Sequence, residues 1–132
     1  MREVSVKVDG EMLAVADFGD GALVMDVGGK GRCPSPMDAI LAALGGCTAV
    51  DVYSILTKMR EPVEEVRVHV EATRREEHPR VYTDIRLRYV IHGEVSPEKA
   101  ERAIRLSQEK YCSVGAMLRE GGCALTWECE VI

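Results

Sequence analysis

Aromatic residues are scarce in this chain of 132 residues, at 5%, with one tryptophan and one phenylalanine. Its 17 basic residues are mixed among 22 acidic ones for a net charge of −5, and no basic stripe with interleaved aromatics is present. A surface that follows a phosphate backbone needs such a stripe, so nucleic acid is excluded as a partner. Long apolar stretches are missing too: no run approaches the roughly 18 residues that cross a bilayer. The opening "MREVSVKVDGEML" alternates in polarity where a signal peptide would build an apolar core. A cytoplasmic protein without a membrane partner is the expectation. Closely spaced cysteine pairs are also absent, since no two of Cys33, Cys47, Cys112, Cys123 and Cys129 lie nearer than six positions. Structural zinc sites usually present C-x2–4-C pairs, so no metal and no cofactor is expected. Cytosolic thiols stay reduced, and a disulfide there is more often catalytic than structural.

What the chain does have is enough apolar content, 46%, to give residues 1–132 one domain with a proper core and no staples. The first third is a β-meander over residues 1–34. It reads as strands "VSVKV", "MLAVADF" and "ALVMDV", split by Asp9-Gly10 and Gly19-Asp20-Gly21, which are hairpin signals. After the loop "GGKGRCPSP" a central cysteine helix spans 35–60, with Ser35 as cap, Pro36 in the first position and Asp38 closing a capping box. Apolar or small residues occupy most of its sides between Ala39 and Val52, so its first half is expected to be buried nearly all round.

Pro62 stops the helix, and the alternating runs "VEEVRVHVEATRR" and "RVYTDIRLRYVIHG" make a β-hairpin over 63–93 with one wet face. Helices and a last strand fill 96–132. Ser96 and Pro97 open the first helix, with Ala100, Ala103, Ile104 and Ser107 facing inward; Ser113 opens a shorter one; "ALTWECEVI" rejoins a sheet. Strands in runs, without strict alternation with helices, define an α+β class.

Two cysteines have a chemical context. Gly45 and Gly46 strip side chains from the turn before Cys47, although glycine costs a helix interior about 1 kcal/mol against alanine, so another group is expected to come close there. Cys112 stands at the mouth of a helix, where the dipole favours a thiolate. Two thiols brought together in the cytosol attack an oxidant and then condense to a disulfide. Cys33, Cys123 and Cys129 read as ordinary thiols. Asp51 reads as an interface or capping residue, because an acid beside a thiolate opposes its charge. His69 and His92 lack paired ligands.

The segments "SPMDAILAALGGCTAVDVYSILTKMR" and "EKYCSVGAML", supported by "ATRREEHPRVYTDIRLRYVIHG", resemble the OsmC/Ohr superfamily of thiol-dependent peroxidases, and most of all its YhfA-like branch. The resemblance implies an OsmC-like α+β fold of antiparallel bent sheets around a long central helix, in an intertwined homodimer with the partner helix, or the segment bearing Cys112, packed near Gly45 and Gly46. It also implies Cys47 as the peroxidatic thiolate and Cys112 as the resolving thiol. Organic hydroperoxides are the implied substrates, a dithiol the reductant, and oxidative-stress defence the setting. Two features depart from the established peroxidases: Met37 stands where they carry glutamate, with Asp38 one place on, and the strands over residues 4–27 contain no arginine. Arg32 and Asp38 are therefore the candidate thiolate-stabilising residues. The alternative is a non-catalytic or weakly active member that binds a small apolar ligand or senses oxidants through the same cysteines.

Overall fold

The computed structural model describes residues 1–132, which fall into two compact units, Met1–Ala42 and Ala43–Ile132. In the first unit β1 (Ser5–Val8), β2 (Leu13–Asp17) and β3 (Ala22–Asp26) form an antiparallel sheet in that order. Their turns follow the residues between them. Asp9 accepts a hydrogen bond from the Glu11 N–H, Asp17 accepts from Gly19, and Gly19 takes φ of 86°, which suits a residue without a β carbon. The loop after β3 folds onto Asp26, whose carboxylate accepts from the backbone N–H groups of Gly28 and Arg32 and from Arg32 Nε.

The central helix α1 runs Pro36–Lys58. Its capping box is complete: the Asp38 N–H donates to Ser35 Oγ, and the Ser35 N–H donates to the Asp38 carboxylate, both at 3.0 Å. Arg60 adopts φ of 62°, and the Glu61 N–H donates back to the Leu56 carbonyl, which closes the end ahead of Pro62.

The second unit carries β4 (Val63–Arg74), β5 (Tyr82–Gly93) and β6 (Ala124–Val131), with β5 in the middle. Ile85, Leu87, Tyr89 and Ile91 alternate along one face of β5 and are almost wholly buried. Gly93 is required where it stands: its φ is 128°, and a β carbon there would lie 2.3 Å from the Pro62 carbonyl oxygen. β4 pairs antiparallel to β5, as expected, but β6 pairs parallel to it. The reason lies in the connection. Parallel neighbours need a crossover of a dozen or more residues, and α2 (Pro97–Leu106), a π-helical turn (Ser107–Tyr111) and α3 (Ser113–Glu120) supply it.

Ala100, Ala103, Ile104 and Ser107 all face inward, as the spacing requires. The caps differ from expectation. Ser96 makes no side-chain cap bond, its backbone N–H donating instead to Glu61 Oε1, and α3 is capped by the Cys112 side chain in place of Ser113.

The expectation of a central helix buried nearly all round in its first half is not met within one chain. In its second-unit part only the stripe Leu44, Thr48, Val52 and Leu56 is fully enclosed, while on the opposite side Val50 is 69% exposed and Tyr53 45%. By length and composition α1 is apolar enough to cross a membrane, which counting uninterrupted apolar runs in the sequence did not reveal. Its buried stripe is nonetheless engaged within the chain, with Thr48 bonded to residues of β5 and the π-helical turn.

Candidate dithiol site

Cys47 and Asp51 lie one turn apart on α1 and so share a face. The π-helical turn after α2 carries the chain to Cys112 opposite them. The Cys47 Sγ, the Cys112 Sγ and an Asp51 carboxylate oxygen all lie within 4.8 Å of one another. Cys47 and Asp51 are half-buried, whereas Cys112 is enclosed.

The Cys112 sulfur accepts from the Gly115 N–H at 3.4 Å, in the N-cap position. The helix mouth does not make this thiol acidic, as the sequence suggested. Burial pushes its pKa up to about 11, the Gly115 N–H opposes the rise, and the neighbouring Cys47 and Asp51 add to it. Cys112 is a neutral thiol at pH 7.

Behind the sulfurs runs a buried polar network. Thr48 Oγ1 lies 2.7 Å from the Tyr89 hydroxyl and 2.8 Å from Ser107 Oγ, and Gln108 Nε2 donates to both Thr48 Oγ1 and Tyr89. Ser107 Oγ is 2.9 Å from the Asp51 carboxylate. Arg119 donates to the Gln108 backbone carbonyl at 2.8 Å and to Gln108 Oε1.

Each hydroxyl has one proton to give, which fixes the direction of every bond. The carboxylate of Asp51 only accepts, so Ser107 donates to it and must accept from Thr48. Thr48 has then spent its proton, so Tyr89 donates to Thr48 and accepts from Gln108. Arg119 holds the Gln108 carbonyl and turns its amide nitrogen inward. The chain of donors therefore runs from the Arg119 cation to the Asp51 anion with no buried side-chain nitrogen or oxygen left unpaired. Burial raises the pKa of Tyr89 to about 12 against the lowering by Thr48 and Gln108, so it keeps the proton this scheme requires.

The sequence reading missed most of this network. Thr48 is the visible signal, a lone hydroxyl on an otherwise apolar helix stripe beside Cys47. The inward spacing of Ser107 was legible, but its partner was not. Arg119 gave no local signal, because a basic residue in the last turn of a helix is common.

The other candidates have different partners. Arg32 spends its guanidinium on Asp26 and on Glu11, whose backbone carbonyl it reaches at 2.6 Å. Asp38 closes the capping box with Ser35. Asp51, read from sequence as an interface or capping residue, is instead the acid beside the two sulfurs. Gly45 is approached by Val70 of β4, 3.3 Å from where its β carbon would be, and by nothing from the Cys112 segment; Gly46 meets nothing within 4 Å. Beyond Asp51 a groove of about 370 Å³ opens, with Ile55, Met59, Leu106 and Tyr111 along it.

Fold and site together define a class: an α+β protein whose long central helix presents one cysteine to a second at the cap of a short helix. The chain belongs to the OsmC-like family, whose pattern matches residues 29–128. The chain is similar to Protein YhfA of Escherichia coli K12, 42% identical over 111 residues that cover 83% of this chain and 82% of that protein. A crystal structure of a hypothetical protein from Aquifex aeolicus VF5 is similar at 32% identity, with a TM-score of 0.87 over 100% of this chain and 98% of the other. The organic hydroperoxide resistance protein OhrB of Bacillus subtilis shares the fold, with a TM-score of 0.66 at 16% identity over 98% of both chains.

Proposed function

We propose that the protein is a cytoplasmic thiol peroxidase for organic hydroperoxides, acting in oxidative-stress defence. The observation that carries this reading is the approach of the Cys47 and Cys112 sulfurs to within 4.8 Å. The half-buried Cys47 attacks the terminal oxygen of the hydroperoxide. The O–O bond breaks, the alcohol leaves with a proton, and Cys47 becomes a sulfenic acid. Cys112 then attacks that sulfur, water departs, and a disulfide closes. An external dithiol returns two electrons and two protons. The apolar groove beyond Asp51 suits the organic part of such a substrate.

The strands β1–β3 contain no arginine to hold the thiolate, and the Arg32 guanidinium is engaged by Asp26 and Glu11. Arg119 supplies a cation at the edge of the site: its Nη1 and the Cys112 sulfur lie 3.6 and 3.3 Å from the same point beside Gly115. Peroxide consumption with excess dithiol tests the reading. The wild type should turn over many equivalents and Cys47→Ser none.

One observation favours a second reading. The Asp51 carboxylate opposes thiolate formation at Cys112. An oxidant sensor would consume about one equivalent of peroxide per chain and stop at the Cys47–Cys112 disulfide.

A further inference from the structure

The peroxidase reading uses the two sulfurs and leaves Asp51 as a hindrance. Taken together, the three side chains have another chemistry. Two sulfurs and a carboxylate oxygen, all within 4.8 Å of one another, are a donor set suited to a borderline-soft divalent ion. We propose that Cys47, Cys112 and Asp51 form a zinc site that the reduced protein fills and the disulfide form cannot, so that the same two sulfurs are either metal ligands or redox groups. The proposal rests on the reading of Cys47 and Cys112 as a working dithiol and assigns Asp51 the role that reading lacks.

Several features support the assignment. A tetrahedral zinc with Zn–S bonds of about 2.3 Å sets its sulfurs roughly 3.8 Å apart, so the donors need only a small inward movement. Two of them, Cys47 and Asp51, come from successive turns of one helix and are already fixed relative to each other. The groups behind the ligands are also in place. Ser107 Oγ donates to one Asp51 oxygen at 2.9 Å and leaves the other free, and the Gly115 N–H points at the Cys112 sulfur. Such outer contacts orient metal ligands and are a usual part of a built site. Half-burial of Cys47 and Asp51 gives an entry path. Three protein ligands leave a fourth position for water, the pattern of an exchangeable site and not of a closed structural one.

The exchange balances. Zinc binding releases the two thiol protons. Oxidation of the zinc-bound pair by a hydroperoxide consumes two protons and yields the disulfide, the alcohol, water and free Zn²⁺. Bound zinc therefore protects the thiols, and an oxidant ejects the metal. No local spacing signals the site, because the cysteines are 65 positions apart by their numbers, Cys47 and Cys112, and the third ligand is an aspartate.

Cobalt(II) titration of the reduced, metal-free protein tests the proposal. One Co²⁺ per chain should bind with thiolate-to-cobalt charge-transfer absorption and tetrahedral d–d bands, about two protons should be released, and Zn²⁺ should bleach the spectrum. Cys47→Ser and Cys112→Ser should each lose about half of the charge-transfer intensity. Asp51→Asn, which keeps an acceptor for Ser107, should keep that intensity but bind at least roughly tenfold more weakly, a loss on the scale seen when metal-site contacts are removed. Absence of charge transfer in the wild type overturns the proposal, as does equal affinity in wild type and Asp51→Asn. Peptide mapping of the oxidised, metal-free protein reads the dithiol separately: a Cys47–Cys112 disulfide without cobalt binding sinks the zinc site and leaves the peroxidase reading standing.

Discussion

At the scale of single residues, Thr48 and Cys112 carry the most. Thr48 joins Tyr89, Ser107 and Gln108 through one oxygen atom, fully buried. Thr48→Val keeps the shape and removes that oxygen, so the Tyr89 proton and the Ser107 acceptor lose their partner together. A buried group left unpaired costs about 1–3 kcal/mol, and the denaturant midpoint should fall by an amount in that range. Cys112 gives a pH prediction. Its pKa is raised to about 11, so the neutral thiol persists well above pH 7, and alkylation at Cys112 should climb only in strongly alkaline solution. The sign for stability follows: the contribution from burying a neutral thiol is whole below the ordinary value near 8.5 and is lost as pH rises toward about 11. Cys47→Ser removes a neighbour that raises the value, so the alkylation midpoint of Cys112 should move down. Mass-spectrometric alkylation rates against pH would show it, and an unmoved midpoint would contradict the contact between the two sulfurs.

At the scale of elements, the sequence was most legible where local chemistry decides. The Ser35–Asp38 capping box forms as the spacing requires, and Pro36 begins α1. Alternation in "RVHVEATRR" and "IRLRYVI" placed β4 and β5, because a half-buried strand must alternate. What the sequence concealed is set by distant partners. Alternation in "ALTWECEVI" says strand but carries no direction, and only the crossover after β5 makes β6 parallel. The cap of α3 passed from Ser113 to Cys112 because a sulfur one position earlier already meets the Gly115 N–H. Likewise the pairing of Cys47 with Asp51 was legible as helix spacing, whereas the bonds that Arg119 makes to Gln108 were not. The loop after β3 yields a prediction at this scale. The Arg32 backbone N–H, with Gly28 and the Arg32 side chain, holds the Asp26 carboxyl below its usual range against the effect of burial. A depressed carboxyl contributes stability that is present above its unfolded value near 3.9 and disappears as pH falls through the lower folded value. Asp26→Asn should therefore destabilise the protein at pH 7 and differ little from wild type in strong acid, read from urea midpoints at the two pH values.

At the scale of the whole molecule, the question is what covers α1. The stripe Leu44, Thr48, Val52 and Leu56 is enclosed, and Gly46, Val50, Tyr53 and Thr57 recur at helical spacing on the other side, where Val50 is 69% exposed. An open groove of about 530 Å³ runs there between Val50, Tyr53 and Val66. An apolar helix face of this kind normally finds a partner. The homodimer that the family resemblance implies would supply one, a second copy presenting the same face about a two-fold axis. Gly46 then has a role that its empty surroundings in one chain do not explain. Within the single chain, Gly46→Ala meets nothing within 4 Å and should gain about 1 kcal/mol of helix propensity. With a partner helix against that turn, the added methyl collides and the dimer weakens. The expected result is a wild-type dimer by light scattering at micromolar concentration, loosened in Gly46→Ala and split by Val50→Asp while far-ultraviolet circular dichroism is unchanged. A wild-type monomer, or a Gly46→Ala protein that simply gains stability, would remove the second copy from this face.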